Sequence, residues 1–142
     1  MPYTSLSDLT DRYGERTLIS LTDRADPPAG AVDPDVIDEV LGDTDALIDG
    51  YLANRYKLPL AETPPLVADI AKTVAIYKLH VYSPDDKIVE DYKEALRQLK
   101  DIGSGAIKLP VAGIAPADTG AGGAQMTDRE RPMTEANMKG FI

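Results

Sequence analysis

The chain has no cysteine and no tryptophan, one histidine and one phenylalanine. Without cysteine there is no disulfide, no thiolate nucleophile and no cysteine-ligated zinc, a composition suited to a reducing interior. No stretch reaches the 18 apolar residues of a membrane span, so a soluble protein with no membrane partner is expected. Met1 to Leu9 lacks a basic region followed by an apolar run, so no signal peptide is expected. Positive charge is also scarce. Fifteen Lys and Arg face 24 Asp and Glu for a net charge of -9, and residues 1–102 carry twenty of the acids against eleven bases. Such a surface repels phosphates, which argues against gripping DNA through counterion release.

Chemistry finds little material. His80 lies in an apolar helical stretch, and no serine sits in a nucleophile-elbow context, so triad catalysis is not supported. Asp43-Thr44-Asp45 begins like a calcium loop but places Leu47 and Ile48 where a polar ligand and a glycine are required. Gly120, Gly122 and Gly123 have no following lysine and no strand-to-helix context, so they form no phosphate cradle. The expectation is a protein that is not an enzyme and carries no cofactor and no metal.

What the chain does have is helical periodicity, in a length of 142 residues that fits one domain. From Asp33 to Leu60, an Asp cap and Pro34 open a helix, and Val36, Ile37, Val40, Leu41, Leu47, Ile48, Tyr51 and Leu52 repeat on one face. Thr44 interrupts that stripe, and Leu58-Pro59-Leu60 is the expected stop. The opposite face carries Asp38, Glu39, Asp45 and Asp49 among other acids, a solvated face or one that lines something. Before this helix, two short helical patterns meet near Gly14, with Ser5 and Asp8 at the spacing of a weak capping box.

Thr63-Pro64-Pro65 opens a further helix to about Tyr82, apolar nearly all round and therefore central. Ser83-Pro84 is the expected cap of the next helix, in which Ile88, Tyr92, Ala95, Leu96, Leu99 and Ile102 form the stripe. Gly103 is its expected stop, and Lys87–Asp91 and Arg97–Asp101 fall at ion-pair spacing. Tyr51, Tyr56, Leu58, Leu60 and Tyr92 are candidates for core or subunit packing. The chain thus reads as all-α, a small bundle of four to five helices over residues 1–103. Residues 104–125 form a Gly/Ala/Pro-rich linker with room for one short strand, expected to be flexible and partly extended. Residues 126–142 recover apolar side chains at the end of that tether, which suggests docking.

The blocks ALIDGYLANRYKLPL, LVADIAKTVAIYKLH, VEDYKEALRQLKDIGSGAIKL and RPMTEANMKGF, preceded by YTSLSDLTDRYGERTLISLTDR, resemble the Mu-like phage head–tail connector family. The resemblance spans nearly the whole chain. It implies a structural virion protein of the phage neck, assembled in the bacterial cytoplasm as a ring, typically dodecameric, beneath the portal protein. Packaged double-stranded DNA would pass through that ring unread, past a lumen that the acidic face of Asp38, Glu39, Asp45 and Asp49 would line if it is not simply solvated, and a tail-side stopper or tail completion protein would bind below it. The tail residues Arg131, Met133, Met138, Lys139 and Phe141 would then dock on the portal. Two rivals stay open on the residues alone: a cellular helical adaptor that binds a partner through the same tail, and a small hydrolase using paired carboxylates.

Overall fold

The computed structural model describes residues 2–110, in which five helices and no strand occur. They are α1 (Leu6–Tyr13), α2 (Glu15–Thr22), α3 (Pro34–Leu52), α4 (Pro65–Leu79) and α5 (Asp86–Ser104). The all-α bundle expected from the periodicity is the observed fold. The α4 helix packs against α3, α5 and α1, because its sequence is apolar on several sides. It contributes to both halves of the core. Val67, Ile70, Ala71 and Val74 meet Ile48 and Leu52 of α3 and Ala95, Leu99 and Ile102 of α5, whereas Ala75, Ile76 and Leu79 meet Ile37, Val40, Leu9 and Leu18.

The helix starts follow local chemistry. Ser5 caps α1, its hydroxyl accepting the Asp8 N–H at 3.2 Å, and Gly14 (φ 89°) joins α1 to α2. Asp33 caps α3 by accepting the Asp35 N–H at 3.0 Å, with Pro34 in the first turn. A buried threonine ties α2 to α3: the Thr22 hydroxyl donates to the Leu18 carbonyl at 2.8 Å and accepts the Asp33 N–H at 3.0 Å.

Thr44, by contrast, completes the apolar stripe that it is expected to break. It is fully buried, and its hydroxyl is satisfied inside the helix by the Val40 carbonyl at 2.8 Å. Thr22→Val is therefore expected to cost about 1–3 kcal/mol, because the Asp33 N–H loses its partner, whereas Thr44→Val removes only a back-bond and stays within about 1 kcal/mol of wild type. Paired denaturant titrations check the difference.

Four boundaries differ from the expectation, each for a physical reason. The α3 helix ends at Leu52, well before Leu58-Pro59-Leu60, because the chain turns there to bury Tyr56, whose N–H bonds the Leu52 carbonyl at 2.9 Å. The α4 helix ends at Leu79, where His80 turns extended and its Nδ1 lies 2.8 Å from the Ile76 carbonyl as a cap. Ser83 and Pro84 carry the chain from α4 to α5 instead of starting the helix; Asp85 is the N-cap residue, without a side-chain hydrogen bond, and Asp86 is the acid of the first turn.

Gly103 lies inside α5, while Gly105 (φ 93°) ends it in the left-handed conformation that favours glycine. Beyond it, Leu109 is buried in the main core and its N–H donates to the Tyr56 hydroxyl at 2.9 Å. The packed chain thus continues six residues past position 103, and residues 104–110 hold no strand. Residues 111–142, including most of the linker and all of the tail, lie outside the described residues.

Candidate assembly surfaces

The four acids expected on one face of α3 divide into two pairs. Asp38 and Glu39 are exposed, in the first half of the helix. Asp45 and Asp49, one helical turn apart, are half-buried beneath the N-terminal arm. The Tyr3 backbone N–H donates to Asp45 Oδ1 at 3.0 Å and its hydroxyl donates to Asp49, while the ring is buried against the core. Burial, then the Asp49 hydrogen bond and the two negative charges, push the Tyr3 hydroxyl well above its ordinary value. Asp45 is raised by burial, partly countered by the Tyr3 N–H.

Asp45 and Asp49 are therefore clamps for the N-terminal arm and not part of an open acidic face. This clamp escapes sequence reading because its partners are 42 and 46 residues apart and Tyr3 precedes the first helical pattern. Asp45→Asn keeps the acceptor for the Tyr3 N–H and removes a half-buried charge beside Asp49. A carboxyl whose folded pKa is raised favours the folded state at low pH, and that contribution is lost as pH rises through the folded pKa. The Asn variant is thus expected to be at least as stable as wild type at pH 7, with the gap closing toward pH 4. Thermal melts across that range check the sign; a variant markedly less stable at pH 7 contradicts it.

The five candidate packing residues sit at the core or its margin. Tyr56 and Leu60 are buried; Tyr51, Leu58 and Tyr92 are half-buried against the same cluster. Tyr92 of α5 stacks on Tyr77 of α4, with ring centroids 3.8 Å apart and planes within 6°. Burial raises the Tyr92 hydroxyl, and Tyr77 and Tyr51 add to it. Beside this stack, α3 and α5 border a groove of about 270 Å³ lined by Tyr51, Lys93, Leu96, Arg97 and Lys100. The Arg97 guanidinium pairs with Glu94 at 2.5 Å and Asp101 at 2.8 Å, Lys93 with Glu90 at 3.5 Å and Lys87 with Asp91 at 2.6 Å.

At the opposite end of α3, a second opening of about 390 Å³ brings Glu39 and Asp43 near Arg24, Lys78 and His80. Next to it, Val81 (60% exposed) and Tyr82 (87%), expected in the last turn of the central helix, instead protrude from the α4–α5 connection. Among the described residues, no three His, Asp or Glu side chains come together as a metal cage, and no helix is long and apolar enough to cross a membrane. The tail candidates Arg131, Met133, Met138, Lys139 and Phe141 lie outside the described residues.

Residues 3–128 match the family described as Bacteriophage Mu, Gp36. The chain is similar to Gene product J of Escherichia phage Mu, with 30% identity over 142 residues that cover all of both proteins. It is also similar to the Mu-like prophage FluMu protein gp36 of Haemophilus influenzae, with 29% identity over 140 residues, 99% of this chain and 98% of the relative. The family match alone covers the five helices and runs on to residue 128, so the chain belongs to the Bacteriophage Mu, Gp36 family.

Proposed function

We propose that this protein is a structural component of a Mu-like virion, a ring adaptor in the neck that joins the portal to the tail-side stopper or completion protein. The observation that carries the reading is end-to-end similarity to Mu and Mu-like prophage proteins, together with blocks such as IDGYLANRYKLPL that resemble head–tail connectors. The physical features are compatible with it. A bundle with a shared core through α3, α4 and α5 makes a stiff subunit, and an excess of carboxylates keeps passing DNA from sticking to the surface. The tail, with Met133, Met138 and Phe141 after a Gly/Ala/Pro-rich tether, is the element assigned to the portal. Many weak tail contacts around a ring reinforce one another through effective concentration. The reading is of a protein that binds and spaces its partners and catalyses no reaction.

Co-purification of the full chain with its portal protein, followed by mass measurement, tests this. The expected result is a complex holding many copies of the chain per portal ring. A chain that stays with the unbound fraction at every concentration overturns the reading.

A further inference from the structure

We propose that the groove between α3 and α5 receives the outward face of α3 from a second copy of this chain. The proposal rests on the ring reading above and assigns it a contact. The groove has an apolar floor of Tyr51 and Leu96 and a rim of Lys93, Arg97 and Lys100, a lining without a carboxylate. Positions 93, 97 and 100 follow helical spacing, so the three cations form one ridge along α5. Lys93 pairs with Glu90 at 3.5 Å and Arg97 with Glu94 and Asp101, carboxylates that are not part of the groove lining. Lys100 makes no ion pair among the described residues.

The complementary surface is on the same chain. Asp35, Asp38, Glu39 and Asp43 are exposed and make no ion pair among the described residues; Glu39 and Asp43 border the opening that also holds Arg24 and Lys78, and Asp35 and Asp38 lie outside it. Between and beyond them the helix presents Gly42 and Ala46, also exposed, and a Cβ built on Gly42 meets nothing within 4 Å. A helix face with acids flanking small side chains accepts a cationic ridge at close approach. Helical periodicity puts Asp38 on the edge of α3 that also carries Asp45 and Asp49, away from the edge on which Tyr51 faces the groove. One copy therefore cannot close the contact on itself, and repetition runs head to tail, which closes into a ring when the rotation permits.

The charge pattern also selects against two other occupants. The tail residues 126–142 carry three acids and three bases, so they bring no net charge to a cationic groove. Nucleic acid is opposed by the overall charge of -9.

Charge reversal separates these cases. The full chain is compared, alone at high concentration and with its portal protein, as wild type, as K93E/K100E, as D38K/E39K and as a mixture of the two variants. Sedimentation reads assembly, and circular dichroism checks that each variant keeps its helices, since all four side chains are exposed. Each variant alone is expected to weaken self-association at least tenfold. The mixture restores it, because the lysine face of one variant then meets the glutamate groove of the other. Variants that assemble like wild type overturn the groove and leave the ring reading standing. Failure of the mixture to recover, or a short DNA duplex retained by wild type and released by K93E/K100E, also overturns it. Wild type that never self-associates, with or without the portal, removes the ring reading itself.

Discussion

Removal of residues 126–142 is expected to leave the bundle as stable as the full chain while portal attachment falls by at least a hundredfold. Every described contact lies within residues 2–110, so the cut touches none of them. The attachment, on the proposed reading, is carried by Arg131, Met133, Met138, Lys139 and Phe141. A cut after Gly105 has the opposite character. It strips Leu109 from the core and deprives the Tyr56 hydroxyl of the N–H that donates to it, together with the half-buried Ile107. Loss of a buried leucine costs about 2–5 kcal/mol, enough to consume much of the stability of a domain of this size. Denaturant midpoints for the two truncations, measured beside a portal-binding assay, separate docking from folding. A chain ending at residue 125 that still binds the portal fully contradicts the assignment of the tail.

Gly103→Ala carries the second large effect. A Cβ at that position would lie 2.9 Å from the Tyr51 backbone carbonyl oxygen, and a helix backbone, unlike the end of a flexible side chain, yields only by moving α3 away from α5. Overpacking of this kind costs about 1–3 kcal/mol, and Gly103→Leu is expected to cost more. The same movement opens the groove beside Tyr51 and Leu96, so self-association should weaken along with stability. Gly42→Ala is the internal control. Its Cβ meets open space, so the exposed helix gains up to about 1 kcal/mol in the isolated chain. Thermal melts of the three variants check the order; a Gly103→Ala protein as stable as wild type contradicts the close approach.

Helices and their burial were legible where periodicity is strong. The stripe of α5, its Lys87–Asp91 and Arg97–Asp101 ion pairs and the central role of α4 follow from spacing and composition alone. Boundaries were less legible, because the decisive partners are distant. Nothing local says that α3 must release at Leu52, since Tyr56 turns inward to meet Leu109, 53 residues later. Ser83-Pro84 fits the capping rule by residue type as well as Asp85 does, yet α5 starts after Asp85, which makes no side-chain cap hydrogen bond. Thr44 looks polar in a list of residues, yet a threonine inside a helix can satisfy itself through its own carbonyl ladder.

The assembly surfaces followed the same division. Acids along α3 are visible in the sequence, whereas the separation of Asp38 and Glu39 from the Tyr3 clamps Asp45 and Asp49 is a tertiary fact. Reversal of Asp45 to lysine would remove the acceptor for the Tyr3 N–H and so disturb the arm. Charge reversal at Asp38 and Glu39 carries no such cost. The ridge of Lys93, Arg97 and Lys100 has helical spacing in the sequence, but its meaning depends on Tyr51 of another helix forming the floor beside it.

Electron microscopy of the full chain mixed with its portal protein tests the central claim most directly. A closed ring of copies, coaxial with the portal and open along its axis, is the predicted image. Isolated single copies bound to the portal, or a particle with the chain nowhere on that axis, would contradict it.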